Sequence, residues 1–202
     1  MFITVEVTNI VEIRPHEFQP AESTPEYLEK LLTTKLSRLY VNRILIGSGL
    51  VITIYEIISC GEGHIKPGTA LTCFTMKFKL VCFRPLVDEV IVGKIASMSP
   101  EGIRVTLGFF DDIWIPLEGM KENSKYDVMR KCWVWDFDGT EMLYELDDEI
   151  RFRVSSEKFS EVVANPAVGD VAATEEVKHV EKSAYTVAGS VVEQGLGILD
   201  WW

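Results

Sequence analysis

Apolar and polar residues alternate along residues 71–83, LTCFTMKFKLVCF, and this alternation predicts a strand with one buried face. Threonine and lysine would point to the opposite face. Residues 2–13 and 50–58 are rich in β-branched and aromatic residues and predict two more strands, the first bent near residues 8–10. The apolar face of the 71–83 strand would carry Phe74, Met76, Phe78, Leu80 and Cys82.

Residues 24–40, TPEYLEKLLTTKLSRLY, have the spacing of an amphipathic helix that Thr24 can cap. Its apolar stripe would consist of Leu28, Leu31, Leu32 and Leu39, with Leu36 beside it. Residues 60–70 hold three glycines and a proline and predict a loop. Residues 1–84 therefore read as strand, helix, strand, strand, which is a small α+β domain.

The pattern changes near Pro85, and residues 85–202 predict an all-β domain of the OB type. An acidic hairpin is expected between the last two strands before residue 160. Residues 160–182 lack aromatic side chains and predict a mobile insertion, after which a closing strand returns. The strands are predicted at residues 89–99, 102–110, 111–116, 130–139, 149–159 and 184–192.

Charge is distributed unevenly along the chain. The net charge is −11; residues 1–85 hold 9 basic and 8 acidic residues, whereas residues 86–202 hold 11 and 23. This asymmetry supports a division into two domains. The acidic second part argues against strong, non-specific binding of nucleic acid, which normally depends on a basic surface.

Motifs for catalysis, metal and cofactor binding are absent from the sequence. Its glycine pairs lack the further residues of phosphate-binding loops, and its four cysteines form no C-x-x-C pair. The three histidines are far apart. No apolar run reaches the roughly 18–20 residues of a membrane span, and the first residues do not resemble a signal peptide. The sequence thus predicts an intracellular, non-catalytic protein without metal or cofactor and without a membrane partner.

The end of the chain, GLGILDWW, predicts that Trp201 and Trp202 anchor a returning strand. Burial of each indole removes on the order of 200 Å² from water, which is worth a few kcal/mol. Two burial sites remain open at this point: the seam between the two domains, or the space under the acidic hairpin.

Residues 89–116, EVIVGKIASMSPEGIRVTLGFFDDIWIP, resemble the S1 subtype of the OB fold, whose members bind single-stranded RNA on adjacent strands. Two usual contact positions differ, because Arg104 replaces an aromatic residue and Ile115 replaces a histidine. We expect weak, salt-sensitive binding, although the basic residues could equally serve only to balance the acidic ones. The candidate RNA contacts are Lys94, Arg104, Lys121, Lys125, Arg151 and Arg153.

Several stretches spaced along the chain form a recognisable set: MFITVEVTNIVEIRP and GLVITIYEIISCGEGHIKPGTA at the front, FRPLVDEVIVGKIASMSPEGIRVTLGFFDDIWIP in the middle, and EIRFRV and GLGILDWW near the end. With these stretches the whole chain resembles the larger stalk subunit of multisubunit RNA polymerases, most closely its RNA polymerase III branch. This resemblance implies an RNP-like α+β domain followed by an S1-type OB barrel.

The resemblance further implies a non-catalytic nuclear subunit that pairs with a smaller helical stalk subunit and contacts the polymerase core, initiation factors and nascent single-stranded RNA. One helix covers only part of a sheet, so the uncovered apolar face of the first domain would bury against that partner. The implied core-docking loop is Gly61, Glu62, Gly63, His64, Ile65, Lys66, Pro67 and Gly68.

Two other functions are compatible with the residues alone. One is a free-standing S1-domain RNA-binding protein of RNA processing or translation. The other is a nuclease with an S1 accessory domain, although no catalytic motif supports it.

Overall fold

The computed structural model describes residues 1–18, 24–160 and 184–202. Its internal contacts divide the chain into two compact units, Met1–Arg84 and Pro85–Trp202. The predicted insertion at residues 160–182 lies outside the described residues except for Ser160. Within the described ranges, no helix has the length and apolar character required to cross a membrane.

The first unit is a four-stranded antiparallel sheet with a helix on one face. The sheet order is β1-β4-β3-β2. The predicted apolar face of β4 is buried throughout, from Phe74 to Cys82, and packs with Leu32 and Leu36 of the helix. The elements are β1 (Phe2–Ile13), α1 (Pro25–Tyr40), β2 (Ile44–Leu45), β3 (Gly49–Ile65) and β4 (Thr72–Phe83).

The helix begins where its cap predicts and buries a narrower stripe than the sequence indicates. The hydroxyl of Thr24 accepts a hydrogen bond from the Tyr27 N–H at 3.3 Å. Leu36, expected beside the stripe, is fully buried and lies at its centre, whereas Leu39 is 45% exposed. The expectation for Leu39 was wrong because it lies in the last helical turn beside β1, the outermost strand, beyond which no further strand of the described residues covers it.

Strand β3 differs from the sequence prediction, and β1 contains no β-bulge at residues 8–10. The pairing of β1 with β4 runs from Phe2↔Phe83 to Ile13↔Thr72 without a register shift. The predicted 60–70 loop is mostly strand, because β3 continues to Ile65 and pairs with β4 through irregular register. Gly63 permits this approach, since a Cβ there would lie 2.8 Å from the Phe74 ring.

The second unit contains a closed barrel of five strands. Its order is β12-β7-β6-β5-β11, and pairing between β12 and β11 closes the circle. Side chains from every strand fill the interior, among them Ile95, Ile115 and Phe152, all with no exposed area. The strands are β5 (Val90–Ser99), β6 (Gly102–Thr106), β7 (Ile113–Pro116), β11 (Glu149–Phe159) and β12 (Tyr185–Ser190).

A separate three-stranded sheet is inserted between β7 and β11, with the order β10-β9-β8. The sequence prediction missed β8 (Ser124–Asp127), because its polar residues show no apolar alternation. The prediction of an acidic hairpin at residues 140–148 was wrong: Thr140–Leu143 is β10, which pairs with β9 (Cys132–Phe137), and residues 144–148 contain no strand. Trp133 anchors the sheet, since its buried indole Nε1 donates to the Ser99 carbonyl at 2.9 Å.

The chain ends on a short strand, β13 (Gly197–Ile198), which pairs with β11 and leads into a 3₁₀ turn over Leu199–Trp201. The Trp201 ring lies 5.2 Å from Trp135 and 4.7 Å from Tyr144, centroid to centroid. Of the two burial sites left open by the sequence, Trp201 therefore occupies the one beside the acidic segment 140–148, through its contact with Tyr144. Trp202 is 53% exposed, and its Nε1 donates to the Leu196 carbonyl at 3.2 Å.

Candidate nucleic-acid interface and docking hairpin

The outer face of strands β5 to β7 brings together Lys94, Arg104 and Trp114. Lys94 pairs across the strands with Thr106, and Arg104 pairs with Trp114, so all four side chains share one face. Arg104 is held by acidic neighbours: its Nη2 lies 2.7 Å from the Asp112 carboxylate, and its Nε donates to the Asp111 carbonyl at 3.1 Å. Lys94 is exposed and forms no ion pair among the residues that the structure describes.

Arg151 and Arg153 share the outer face of β11, as their spacing predicts. Both guanidinium groups bind protein oxygens. The Arg153 Nη2 lies 2.7 Å from the Glu193 carboxylate, and its Nη1 donates to a carbonyl, that of Asp88, at 3.0 Å. The Arg151 Nη1 donates to the Gly195 carbonyl at 3.4 Å. A phosphate group of RNA would therefore have to displace these protein oxygens before it could bind either guanidinium group.

Lys121 differs from the other candidates because the structure buries it, leaving 6% of its surface exposed. Its Nζ donates to the Glu193 carbonyl at 3.0 Å and lies 4.8 Å and 5.3 Å from the ring centroids of Trp135 and Trp202. Desolvation lowers the pKa of this lysine. Lys121 is therefore the least accessible of the candidate RNA contacts, and its contacts join it to the C-terminal turn.

Lys125 lies on the three-stranded sheet, where it lines an open groove of about 500 Å³. It is exposed and has no ion-pair partner within the described part of the chain. The groove also contains Arg130, whose guanidinium lies 3.5 Å from Asp127 and 3.2 Å from Glu141. Its mixture of both signs gives it little attraction for a polyanion.

The predicted docking loop is the end of the β3–β4 hairpin. Every residue from 61 to 70 is exposed, and Ile65 is exposed by 72%. The turn is ordered by its own backbone, since the Lys66 N–H donates to the Leu71 carbonyl at 2.8 Å. The Lys66 Nζ lies 3.1 Å from the Glu12 carboxylate, and this contact raises the pKa of Lys66.

In the described ranges, no group of three His, Cys, Asp or Glu side chains could hold a metal ion. The residue that the sequence reasoning missed is Glu193, which contacts Lys121 through its carbonyl and Arg153 through its carboxylate. Because these partners are 72 and 40 positions away, no local pattern could have indicated the contacts.

Two family models match the chain. Residues 89–202 match the family described as RNA polymerase III subunit Rpc25. Residues 8–70 match the SHS2 domain found in the N terminus of Rpb7p/Rpc25p/MJ0397. The chain belongs to the Rpc25 family.

Relatives of the Rpc25 family match over the whole chain. DNA-directed RNA polymerase III subunit RPC8 of Bos taurus is 34% identical over 207 residues, covering 100% of this chain and 98% of the relative. The Schizosaccharomyces pombe subunit rpc8 is 35% identical over 211 residues, and the Saccharomyces cerevisiae subunit RPC8 is 31% identical over 220 residues, each with 100% of both chains covered. The family resemblance and the predicted fold class, an RNP-like α+β domain followed by an OB-type barrel, are thus confirmed.

Proposed function

We propose that this protein is the larger stalk subunit of nuclear RNA polymerase III. The observation that carries the proposal is the match along the full chain to RNA polymerase III subunits from three organisms. In this role the protein is non-catalytic, pairs with a smaller helical stalk subunit, docks on the polymerase core and contacts initiation factors. The first unit would dock on the polymerase core, and the barrel would contact the initiation factors.

Affinity isolation of the tagged full chain, followed by mass spectrometry, tests this proposal. We expect the smaller stalk subunit and the core subunits of RNA polymerase III to co-purify in comparable amounts. Recovery of the chain without polymerase subunits would contradict the proposal and favour a free-standing RNA-binding protein. Cleavage of labelled RNA in the presence of a divalent metal would favour a nuclease instead.

The end of the β3–β4 hairpin is well suited to insertion into a pocket of the core. Its exposed backbone turn is closed by hydrogen bonds, which lowers the conformational entropy lost on docking. Ile65 offers an aliphatic side chain that is 72% exposed, the kind of group that anchors an interface when a pocket buries it. Of the docking residues 61–68, we therefore expect Ile65 to contribute most.

Replacement of Ile65 by Asp is expected to reduce recovery of the core at least about tenfold, because a carboxylate would enter an apolar pocket. The matched control is Ile46→Asp, which changes another aliphatic side chain, 65% exposed, on a different turn of the same unit. Quantitative mass spectrometry of both isolates provides the measurement. Equal loss of the core with both variants would argue against docking through the hairpin.

Contact with single-stranded RNA is the weaker part of the proposed function. It is supported by the shared outer face of Lys94, Arg104 and Trp114 and by the neighbouring Arg151 and Arg153. A phosphate must exchange with the protein oxygens that already bind the three arginines. The exchange costs affinity, and the acidic surroundings repel the backbone, so binding would be weak and sensitive to salt.

The double variant Arg151→Ala/Arg153→Ala is expected to weaken RNA binding about tenfold at low salt. The slope of log K against log salt should fall by about one to two, since up to two phosphate contacts are lost. Fluorescence anisotropy with a labelled oligonucleotide across a salt series measures both quantities. The control variant Lys30→Ala/Arg43→Ala removes the same charge from the first unit and should leave the salt slope of RNA binding unchanged. If the Arg151→Ala/Arg153→Ala variant also leaves this slope unchanged, β11 is not the strand that contacts RNA.

A further inference from the structure

Aromatic side chains of the second unit lead from the core to the surface along one face of β9. Trp133, Trp135 and Phe137 alternate along this strand and therefore share that face. Their exposure increases in this order, since Trp133 is buried, Trp135 is partly buried and Phe137 is 52% exposed. The outer end of the face is thus aromatic and open to solvent within the part of the chain that the structure describes.

The C-terminal turn enlarges this face with two more rings. The Trp135 ring lies 5.0 Å from Phe137 and 5.2 Å from Trp201, centroid to centroid. The half-exposed Trp202 joins the group through Lys121, whose Nζ lies close to both its ring and that of Trp135. Four clustered rings, here called the aromatic surface, exceed the scattered apolar residues of an ordinary protein surface, and such patches mark interaction sites.

Two indole N–H groups of the aromatic surface have no acceptor among the described residues. The Trp202 Nε1 donates to the Leu196 carbonyl, whereas the Nε1 atoms of Trp135 and Trp201 donate to no protein atom there, and neither is enclosed. Both groups can therefore donate to the carbonyl oxygens of a bound chain. The site offers hydrogen-bond donors and flat apolar rings.

A cation already occupies the inner side of this surface. The Lys121 Nζ lies 4.8 Å and 5.3 Å from the ring centroids of Trp135 and Trp202, and only 6% of the lysine is exposed. A second cation placed on the same two rings would be repelled by this ammonium group. The rings therefore favour an uncharged apolar group over an arginine or lysine side chain.

Acidic residues adjoin the aromatic surface and Lys121 in the sequence. Asp138 and Asp200 each lie next to one of the rings, and Glu122 follows the lysine. All three are exposed and form no ion pair within residues 1–18, 24–160 and 184–202. This acidic margin repels phosphate groups and attracts basic ones, so it disfavours a nucleic acid and favours a peptide with basic residues beside an apolar stretch.

We propose that the aromatic surface binds a proline-rich segment of a partner protein in the polyproline II conformation. Such a segment presents uncharged rings and carbonyl groups without internal hydrogen bonds, and it docks on aromatic side chains. Its proline rings would pack on Phe137 and Trp202, its carbonyls would accept from the N–H groups of Trp135 and Trp201, and flanking basic residues would meet the acidic margin. This binding is independent of the proposed place of the protein in the polymerase stalk.

An oligoproline peptide with an arginine at each end is the probe for this site. We expect the full chain to bind it at least about tenfold more tightly than a peptide of equal length and charge in which glycine and serine replace the prolines. Titration calorimetry measures both affinities. Equal affinities would overturn the proposal, and tighter binding of oligouridine at the same surface would identify RNA as the occupant instead.

The double variant Phe137→Ala/Trp202→Ala is expected to weaken binding of the oligoproline peptide at least about tenfold, because two ring contacts are lost. The matched control Phe2→Ala/Tyr55→Ala removes two exposed aromatic side chains from the first unit and should bind within about twofold of the parent chain. Circular dichroism shows whether each variant is folded. Equal losses for the two double variants would refute the assignment, and self-association abolished only by Phe137→Ala/Trp202→Ala would identify a second copy as the occupant.

Indole resonances supply a measurement that needs no variant. In the full chain with isotope-labelled tryptophan, the Nε1–H signals of Trp135 and Trp201 should move downfield when the oligoproline peptide is added, because both groups gain an acceptor. The signal of Trp133 should stay in place, since its Nε1 already donates to the Ser99 carbonyl. A peptide that binds without moving the first two signals would overturn this mode of recognition.

Discussion

Truncation of Trp201 to alanine is expected to lower the free energy of unfolding of the second unit by about 2–4 kcal/mol. The indole packs against Trp135 and Tyr144 and so joins the end of the chain to the three-stranded sheet. Its loss would leave a cavity lined by aromatic rings and uncover the Gly197 backbone, whose Cβ position lies 2.9 Å from the Trp201 ring.

Intrinsic fluorescence can measure this effect in the full chain. All five tryptophans lie in residues 85–202, so their emission reports on the second unit during denaturant unfolding. Trp202→Ala is the control and should cost about 1 kcal/mol or less, because Trp202 is 53% exposed. Equal losses for the two variants would contradict the anchoring role of Trp201.

A second large effect is expected from Gly49→Ala, which should destabilise the first unit by about 3 kcal/mol. Gly49 begins β3 with φ +95°, a conformation that other residues rarely adopt. A Cβ at this position would also lie 2.1 Å from the Phe83 carbonyl oxygen. The variant therefore combines backbone strain with a clash against β4, and pairing at that end of the hairpin would have to shift.

Gly47→Ala separates the two causes. Gly47 also has positive φ, at +78°, but its Cβ would meet nothing within 4 Å, so only the strain of about 1 kcal/mol should remain. Because the first unit has no tryptophan, hydrogen exchange of the β3 and β4 amides is the appropriate measurement. If both variants accelerate exchange equally, the close approach to Phe83 is not what requires glycine.

The strands with regular alternation could be predicted from the sequence, and the irregular ones could not. The face of β4 from Phe74 to Cys82 was correct at every position, because the period of two is independent of the partner strand. The extension of β3 through Gly61 and Gly63 was missed because glycines read as loop, whereas here they allow bulged pairing with β4. Strand β8 was missed because it depends on pairing with β9 and has no apolar alternation of its own.

The sequence could predict which basic residues belong to the candidate RNA interface, but it could not predict which of their side chains are accessible to RNA. The spacing of Arg151 and Arg153 correctly placed them on one face of a strand. Burial of Lys121 could not be foreseen, since it follows from aromatic rings at positions 135 and 202 that only the folded chain brings together. The contact of Arg153 with Glu193 is likewise set by topology rather than by local sequence.

Closure of the barrel by β12 has a consequence for synthesis. Strand β12 completes the circle between β7 and β11, yet it is separated from β7 by about seventy residues, as the pairing Ile113↔Val187 illustrates. A nascent chain that has not yet released Tyr185–Ser190 from the ribosome leaves both neighbouring strands with unpaired edges. Such long-range pairing forms slowly, so this interval is when the chain is most exposed to aggregation and most dependent on chaperones.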